Sequence, residues 1–134
     1  MKIVRLVAAL VTAATLTACS GISSPSTYAP DDFSGTLDPS GEASRGFSVA
    51  ATGELQLQLT ALNPVPRVGF LSMGVGQYLG SVCSPTPNYI VGQVGLNQQY
   101  SLGRITKGNY CVVLVDANAV LTAPATFTIR ILHP

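Results

Sequence analysis

Hydrophobic and polar residues alternate with a period of two along several segments of the chain. The clearest is E-L-Q-L-Q-L-T at 54–60, where the leucines lie on one side of an extended chain and the polar residues on the other. The segments G-F-S-V-A-A at 46–51 and A-T-F-T-I-R-I at 125–131 repeat the pattern. Strict alternation predicts strands that are buried on one face and hydrated on the other. The side chains predicted to face inward are Phe47, Leu55, Leu57, Leu59, Tyr110, Phe127, Ile129 and Ile131.

Four further segments are predicted to be strands. N-Y-C-V-V-L-V-D at 109–116 is apolar on both faces, which is typical of a central strand. The others are 33–37, 67–76 and 99–105, and turn-forming residues at 38–41, 52–53, 63–66 and 106–109 separate the segments. Short strands at this spacing predict an all-β fold. We expect a single antiparallel β-sandwich, jelly-roll-like, with about seven or eight strands.

The first residues of the chain have the features of a secretory signal peptide. Lys2 and Arg5 precede an uncharged run at 6–16, and small residues follow it. A membrane-spanning helix needs about 20 apolar residues, so this run is too short to span. Its length fits the apolar region of an export signal.

The four residues L-T-A-C at 16–19 resemble the lipobox of bacterial lipoproteins. The resemblance implies that Cys19 is lipidated on its sulfur and becomes the first residue of the mature chain. Ser20 is not aspartate, which in that family implies the outer membrane of the cell envelope. The alternatives are an ordinary cleaved signal peptide with a chance cysteine, and a retained anchor helix.

Three regions follow from these features. Residues 1–18 are the predicted signal peptide, and residues 19–32, rich in serine and proline, are the predicted flexible tether. Residues 33–134 form the predicted β-sandwich domain, which is a single domain by length.

The two remaining cysteines, Cys83 and Cys111, are predicted to form a disulfide. Export places them in an oxidising compartment, and lipidation of Cys19 leaves them as a pair. Two free buried thiols are the alternative. A zinc site is not expected, because the chain has one histidine and no C-x-x-C motif.

The charge of the mature chain excludes one class of function. The whole chain has seven basic and six acidic residues, and removal of Lys2 and Arg5 leaves five basic against six acidic. Nucleic-acid binding needs clustered Lys and Arg, so no nucleic-acid partner is expected. Charged residues make up only 10% of the chain, so hydroxyl and amide side chains must supply its polar surface.

Few residues are suited to catalysis. His133 is the only histidine and lies next to the last residue, and there is no G-x-S-x-G motif. Lys107 lies in a predicted turn, and Asp31 and Asp32 lie in the predicted tether. We therefore expect a protein that is not an enzyme and needs no cofactor.

Asp116 and Asn118, in the sequence D-A-N, could offer oxygen atoms to a metal ion. Side chains of this kind more often accept hydrogen bonds from turn amides, and that is the interpretation we favour.

Several segments resemble the pre-peptidase C-terminal domain group, small β-sandwiches found on exported bacterial proteins. They are S-G-T-L at 34–37, T-G-E-L-Q-L-Q-L at 52–59, G-N-Y-C-V-V-L-V-D at 108–116 and F-T-I-R-I at 127–131. The resemblance implies the fold. The calcium binding of some relatives is not transferred, because this chain lacks their acidic cluster.

These features predict a non-catalytic module, attached to the membrane through lipid on Cys19, that binds an extracellular polymer, glycan or protein. Tyr78 and Tyr89 flank the predicted loop V-C-S-P-T-P-N-Y and are the candidate ligand-binding rings, although ordinary packing is the simpler interpretation. The alternative is a structural or accessory component of an envelope protein complex.

Overall fold

The computed structural model describes residues 25–134, which form eight antiparallel strands after one short 3₁₀ turn, Pro25–Thr27. The predicted signal peptide and Cys19 lie outside the described residues. The strands are β1 (Asp31–Leu37), β2 (Glu42–Val49), β3 (Gly53–Asn63), β4 (Leu71–Leu79), β5 (Val82–Val94), β6 (Gln99–Ile105), β7 (Gly108–Val115) and β8 (Ala125–Leu132).

The strands form two four-stranded sheets that pack face to face. Sheet A has the order β1-β8-β3-β6, and sheet B has the order β2-β7-β4-β5. Successive strands mostly alternate between the sheets, and this arrangement is the jelly roll, in which two Greek keys close a double-sheet sandwich. The predicted β-sandwich is confirmed.

The core lies between the sheets and is built by the alternation seen in the sequence. β3 shows a strict burial alternation from Gly53 to Leu59, and β8 shows it from Ala125 to Ile131. Seven of the eight predicted inward side chains are buried, and Tyr110 is half-buried against them. Burying a side chain of this size stabilises the fold by about 1.5–3 kcal/mol.

Three predicted boundaries need correction. The segment around residues 83–89, which is predicted to be a loop, lies within β5. There β5 bulges outward: Ile90 pairs with Gly74 and Pro85 pairs with Gly76, so β5 uses three more residues than β4 over this step. The prolines suit this position, because an edge strand tolerates residues that cannot donate a ladder hydrogen bond.

The other two corrections are at strand starts. β4 begins at Leu71, and the residues before it belong to a loop, although the sequence predicted a strand from residue 67. β1 begins at Asp31, two residues before the predicted start of the domain, and Pro25, within the predicted tether, is buried.

A small second cluster lies on the outer face of sheet B. Cys83 and Cys111 form a disulfide, as predicted, and Val113 is buried beside them. Their Cα atoms are 5.9 Å apart, although β4 separates β5 from β7 in the sheet order. Adjacent strands lie about 4.8 Å apart, so strands two places apart in a flat sheet are separated by about 10 Å. The start of β5 therefore folds over β4.

Glycines in β4 make this fold-over feasible. A Cβ atom at Gly76 would lie 1.8 Å from the backbone oxygen of Ser84, and one at Gly74 would lie 2.9 Å from Pro85 Cβ. Because the hairpin covers the outer face of β7, that strand is apolar on both faces. Its inner face meets the main core, and its outer face lies under the folded hairpin and the disulfide.

Candidate interaction surface

Four large hydrophobic side chains are exposed together at one end of the sandwich. Val68 is 78% exposed, Val65 55%, Phe70 49% and Leu96 42%. All four line one cleft of about 320 Å³ between the β3–β4 and β5–β6 loops. We call these four residues the apolar end. Exposed apolar side chains that cluster in this way on a small domain mark an interaction surface.

A second cleft of about 570 Å³ lies beside the apolar end. It shares Val65 and Val68 with the first cleft and is completed by residues 120–122 of the β7–β8 loop. The segment that carries Val65 and Val68 therefore has a concave apolar surface on both sides.

The β3–β4 loop is positioned by its flanks. The Asn63–Pro64 peptide bond is cis, and Thr126 Oγ1 donates a hydrogen bond to the Asn63 carbonyl at 3.3 Å. Gly69 has a φ of +81°, in the region that favours glycine, and a Cβ there would lie 2.4 Å from Val120 Cγ1. The loop must therefore have a glycine where it packs against the β7–β8 loop.

The β5–β6 loop is held by backbone and side-chain hydrogen bonds. The Asn97 amide donates to the Leu59 carbonyl at 2.8 Å, and Gln58 Nε2 donates to the Asn97 carbonyl at 2.8 Å. The hydroxyl of Tyr100 accepts from the Gly95 amide at 2.7 Å. These contacts hold Leu96 at the rim of the cleft.

Asp116 braces the β7–β8 loop. Its carboxylate is buried and accepts from the backbone amides of Ser40 at 3.0 Å, Val120 at 2.8 Å and Leu121 at 3.1 Å. Burial by itself would raise the pKa of Asp116, but the three amide donors outweigh it and the pKa lies below its usual value. The carboxylate ties two loops together at this end of the sandwich.

This geometry decides the interpretation of D-A-N. Asp116 accepts hydrogen bonds from turn amides, and Asn118 is exposed. In the part of the chain that the structure describes, no three His, Cys, Asp or Glu side chains are grouped so that they could hold a metal ion.

The two clefts have a single charged residue in their linings. Arg67 is exposed and lines both clefts, and neither cleft is lined by an acidic residue. Arg45 and Arg130 form ion pairs with Asp31 and Asp32, whereas none of the ion pairs among residues 25–134 involves Arg67.

The two predicted tyrosines are placed in different surroundings. Tyr78 lies near the tip of the β4–β5 hairpin, 43% exposed, and its ring is 3.5 Å from the Cβ position of Gly46 in β2. Tyr89 is half-buried, and its hydroxyl donates to the Arg104 carbonyl of β6 at 2.5 Å. Tyr78 thus packs over sheet B and Tyr89 joins the edges of the two sheets, so the rings have separate neighbours.

The residues weighed for catalysis have structural contacts. Asp31 and Asp32 lie in β1, contrary to their predicted place in the tether, and alternate to opposite sides of that strand. Asp31 pairs with Arg45, and His133 Nε2 lies 3.7 Å from Asp31. The His133 ring also packs on Phe47 with centroids 5.1 Å apart, so the C-terminus is held against the sandwich.

The outer face of sheet A is polar across its whole width. Asp32, Arg130, Gln58 and Gln99 are paired in one row across its four strands. Many of these side chains bond to one another or to backbone: Ser34 and Thr128 hydroxyl oxygens are 2.8 Å apart. A shallow groove on this face is lined by polar and apolar residues together: Ser34, Gly35, Thr36, Ala61, Leu62, Asn63, Thr126, Phe127 and Thr128.

Sequence reasoning missed the apolar end. The indication was present in P-V-P-R-V-G-F at 64–70, where prolines and a glycine mark a loop that nevertheless carries three large apolar residues. Apolar residues in a loop have no inward face to occupy, and this is how such a surface could have been recognised.

No protein-family model matches the chain, and no curated protein sequence matches it. Among residues 25–134, no helix has the length and apolar character needed to cross a membrane.

Proposed function

We propose that the mature chain is a non-catalytic, lipid-anchored module of the bacterial cell envelope that binds a partner through the apolar end. The observation that carries this proposal is the exposure of Val65, Val68, Phe70 and Leu96 around one cleft. Covering apolar surface yields about 25 cal/mol per Å² removed from water. A partner that covers these side chains therefore has a large driving force for association.

The position of the first residue of β1 supports this use of the apolar end. β1 begins at Asp31, which pairs with Ile131 near the end of β8, while Leu37 pairs with Ala125 at the other end. β3 ends at Asn63 beside Thr126, so the β3–β4 loop projects from the end opposite to Asp31. The chain therefore enters β1 at the end of the sandwich away from the apolar end, and this leaves the apolar end open to a partner.

Photo-cross-linking in intact cells tests the proposal. A photoreactive amino acid is placed at Val68 or at Thr36, which lies on the outer face of sheet A. We expect a discrete cross-linked product from Val68 and none from Thr36, because Thr36 lies outside the apolar end. Intact-mass analysis of the mature protein tests the anchor, and we expect a chain that begins at Cys19 and carries the mass of its acyl chains.

The outcomes separate the two parts of the proposal. Absence of any product at Val68, with the protein folded and exported, would refute binding through the apolar end. A mature protein whose intact mass shows no acyl chains, or whose first residue is not Cys19, would refute the lipid anchor and leave the binding surface to stand on its own result.

A second candidate function is glycan binding at Tyr78 on the outer face of sheet B. The partly exposed Tyr78 ring beside Gly46 favours it, because sugar rings stack on aromatic side chains. A glycan array in which binding is lost in Tyr78→Ala, but unchanged in Val68→Ser, would support this function over the first.

A further inference from the structure

We infer that the partner of the apolar end is a protein segment that carries a carboxylate next to apolar side chains, and that Arg67 selects for this carboxylate. This inference rests on the proposed function and specifies the chemistry of its partner.

The position of Arg67 is the first observation. Arg67 lies between Val65 and Val68, and the two clefts on either side of this segment share it. A guanidinium group offers several donors in a plane that matches a carboxylate, so it favours bidentate pairing with that group. A partner that fills either cleft with apolar side chains places its neighbouring polar group within reach of Arg67.

The charge at this end is the second observation. Arg67 is the only charged residue that lines either cleft, and none of the ion pairs within the described range involves it. An interface that covers the apolar end with uncharged groups would leave a cation beside apolar surface without a partner. Covering it with a carboxylate supplies the opposite charge, and a charge-assisted hydrogen bond is about twice as strong as a neutral one.

The same charge argues against a second copy of this chain. Two apolar ends brought together would place two Arg67 side chains at one interface whose cleft linings contain no carboxylate. Like charges at an interface are unfavourable, so the surface is better suited to a different molecule.

The shape and the low charge argue against an anionic bilayer. Lipid-surface binding through charge gains about 1 kcal/mol for each Lys or Arg near the surface, and this end offers one. The apolar surface is concave on both sides of the β3–β4 loop, with cleft volumes of about 320 and 570 Å³. Clefts of this size accept side chains, since ligand pockets commonly enclose about 300–1,000 Å³.

Selection from a displayed library of short random peptides tests the inference. The mature lipidated chain, held in nanodiscs of neutral phosphatidylcholine, is the bait. We expect the enriched peptides to combine aspartate or glutamate with adjacent large apolar residues. Arg67→Gln should weaken their binding by about three- to tenfold, and Arg67→Glu should shift the selection toward lysine and arginine.

Two matched variants serve as controls. Arg104→Gln removes another exposed arginine, on β6 and away from the clefts, and should leave peptide binding unchanged. Val68→Ser should lower binding by about tenfold or more, whereas Val82→Ser, at the exposed tip of the β4–β5 hairpin, should not.

Three results would overturn the inference. Peptides that bind equally to the Arg67→Gln variant would show that Arg67 selects nothing. Concentration-dependent self-association lost in Val68→Ser would identify a second copy as the partner. Co-sedimentation with phosphatidylglycerol vesicles, lost in the same variant, would identify a membrane. Cross-linking at Val68 tests the proposed function separately, because it does not depend on the charge at position 67.

Discussion

The outer faces of the two sheets differ in what covers them. On sheet A the outward residues of β3 and β8 are mainly glutamate, glutamine, threonine and arginine, and several of them hydrogen-bond to their neighbours. On sheet B the outward residues of β7 are Cys111 and Val113, which are buried under the folded β4–β5 hairpin. Sheet A therefore contacts apolar side chains on its inner face only, whereas the middle of sheet B contacts them on both faces.

The difference shows how a small domain can stabilise a strand on both faces without a third sheet. The hairpin alone has few apolar contacts with sheet B, and the disulfide ties it down through Cys83. The outward side chains of sheet A are polar and remain hydrated, whereas the apolar outer face of β7 must be shielded from water by other residues. The cover depends on Gly74 and Gly76, which leave room for β5.

The largest expected effect comes from filling the space under the hairpin. Gly76→Ala places a Cβ against the Ser84 carbonyl, where backbone must move, and should lower the free energy of unfolding by about 3 kcal/mol or more. Gly92→Ala, in β5 of the same sheet with open space around its Cβ position, is the matched control and should have little effect. Denaturant unfolding measures both. Equal stability of the two variants would show that the fold-over of β5 is not obligatory.

A smaller effect is expected when the β4–β5 hairpin is kept but the disulfide that attaches it to β7 is removed. The cysteines are 28 residues apart, and closing a loop of this length stabilises a domain by about 2–4 kcal/mol through the unfolded state. The variant carrying Cys83→Ala and Cys111→Ala should lose stability in that range and expose Val113 to faster hydrogen exchange. Peptide mapping without reductant checks the bond itself. Free thiols in the folded wild-type protein would contradict this prediction.

The smallest effects concern two carboxylates, one buried at the end of β7 and one exposed on sheet A. The pKa of each lies below its usual value, that of Asp32 because Arg130 donates to it and that of Asp116 because three amides outweigh its burial. A lowered pKa in the folded state adds stability above the unfolded pKa of about 4, and this stability is lost as the pH falls through the folded value. Acidification below about pH 4 should therefore destabilise the protein.

Single variants separate the two carboxylates. Asp116→Asn should cost about 1–3 kcal/mol at neutral pH, because an amide side chain offers one acceptor oxygen in place of two. Asp32→Asn should cost less, about 0.2–1 kcal/mol, because its pair with Arg130 is exposed to solvent. Both should flatten the acid limb of stability against pH, Asp116→Asn the more. A larger effect from Asp32→Asn would mean that the exposed pair matters more than the buried brace.

The candidate surface was less predictable than the fold. The sequence predicts Tyr78 and Tyr89 to be rings beside a proline-rich loop, but that segment is a bulged edge strand and each ring packs against a different strand. The apolar end is assembled from loops that are far apart in the chain. Val68 and Leu96 line the same cleft because the hydrogen bond from Asn97 to Leu59 holds the β5–β6 loop there. No local pattern encodes that meeting.

The all-β class and the inward residues of β3 and β8 could be predicted from the sequence, because alternation is a local property and burial on one face of a strand follows from it directly. The pairing of Cys83 with Cys111 could be predicted from the number of cysteines once Cys19 was assigned to the lipobox. The folded structure was needed to show that β5 folds over Gly76, that Asp116 joins two loops, and that Val65, Val68, Phe70 and Leu96 share one cleft. These three features depend on which strands and loops the two-sheet topology makes neighbours. A hydrophobic period of two indicates which face of a strand a side chain occupies, but it does not indicate which strand lies beside it.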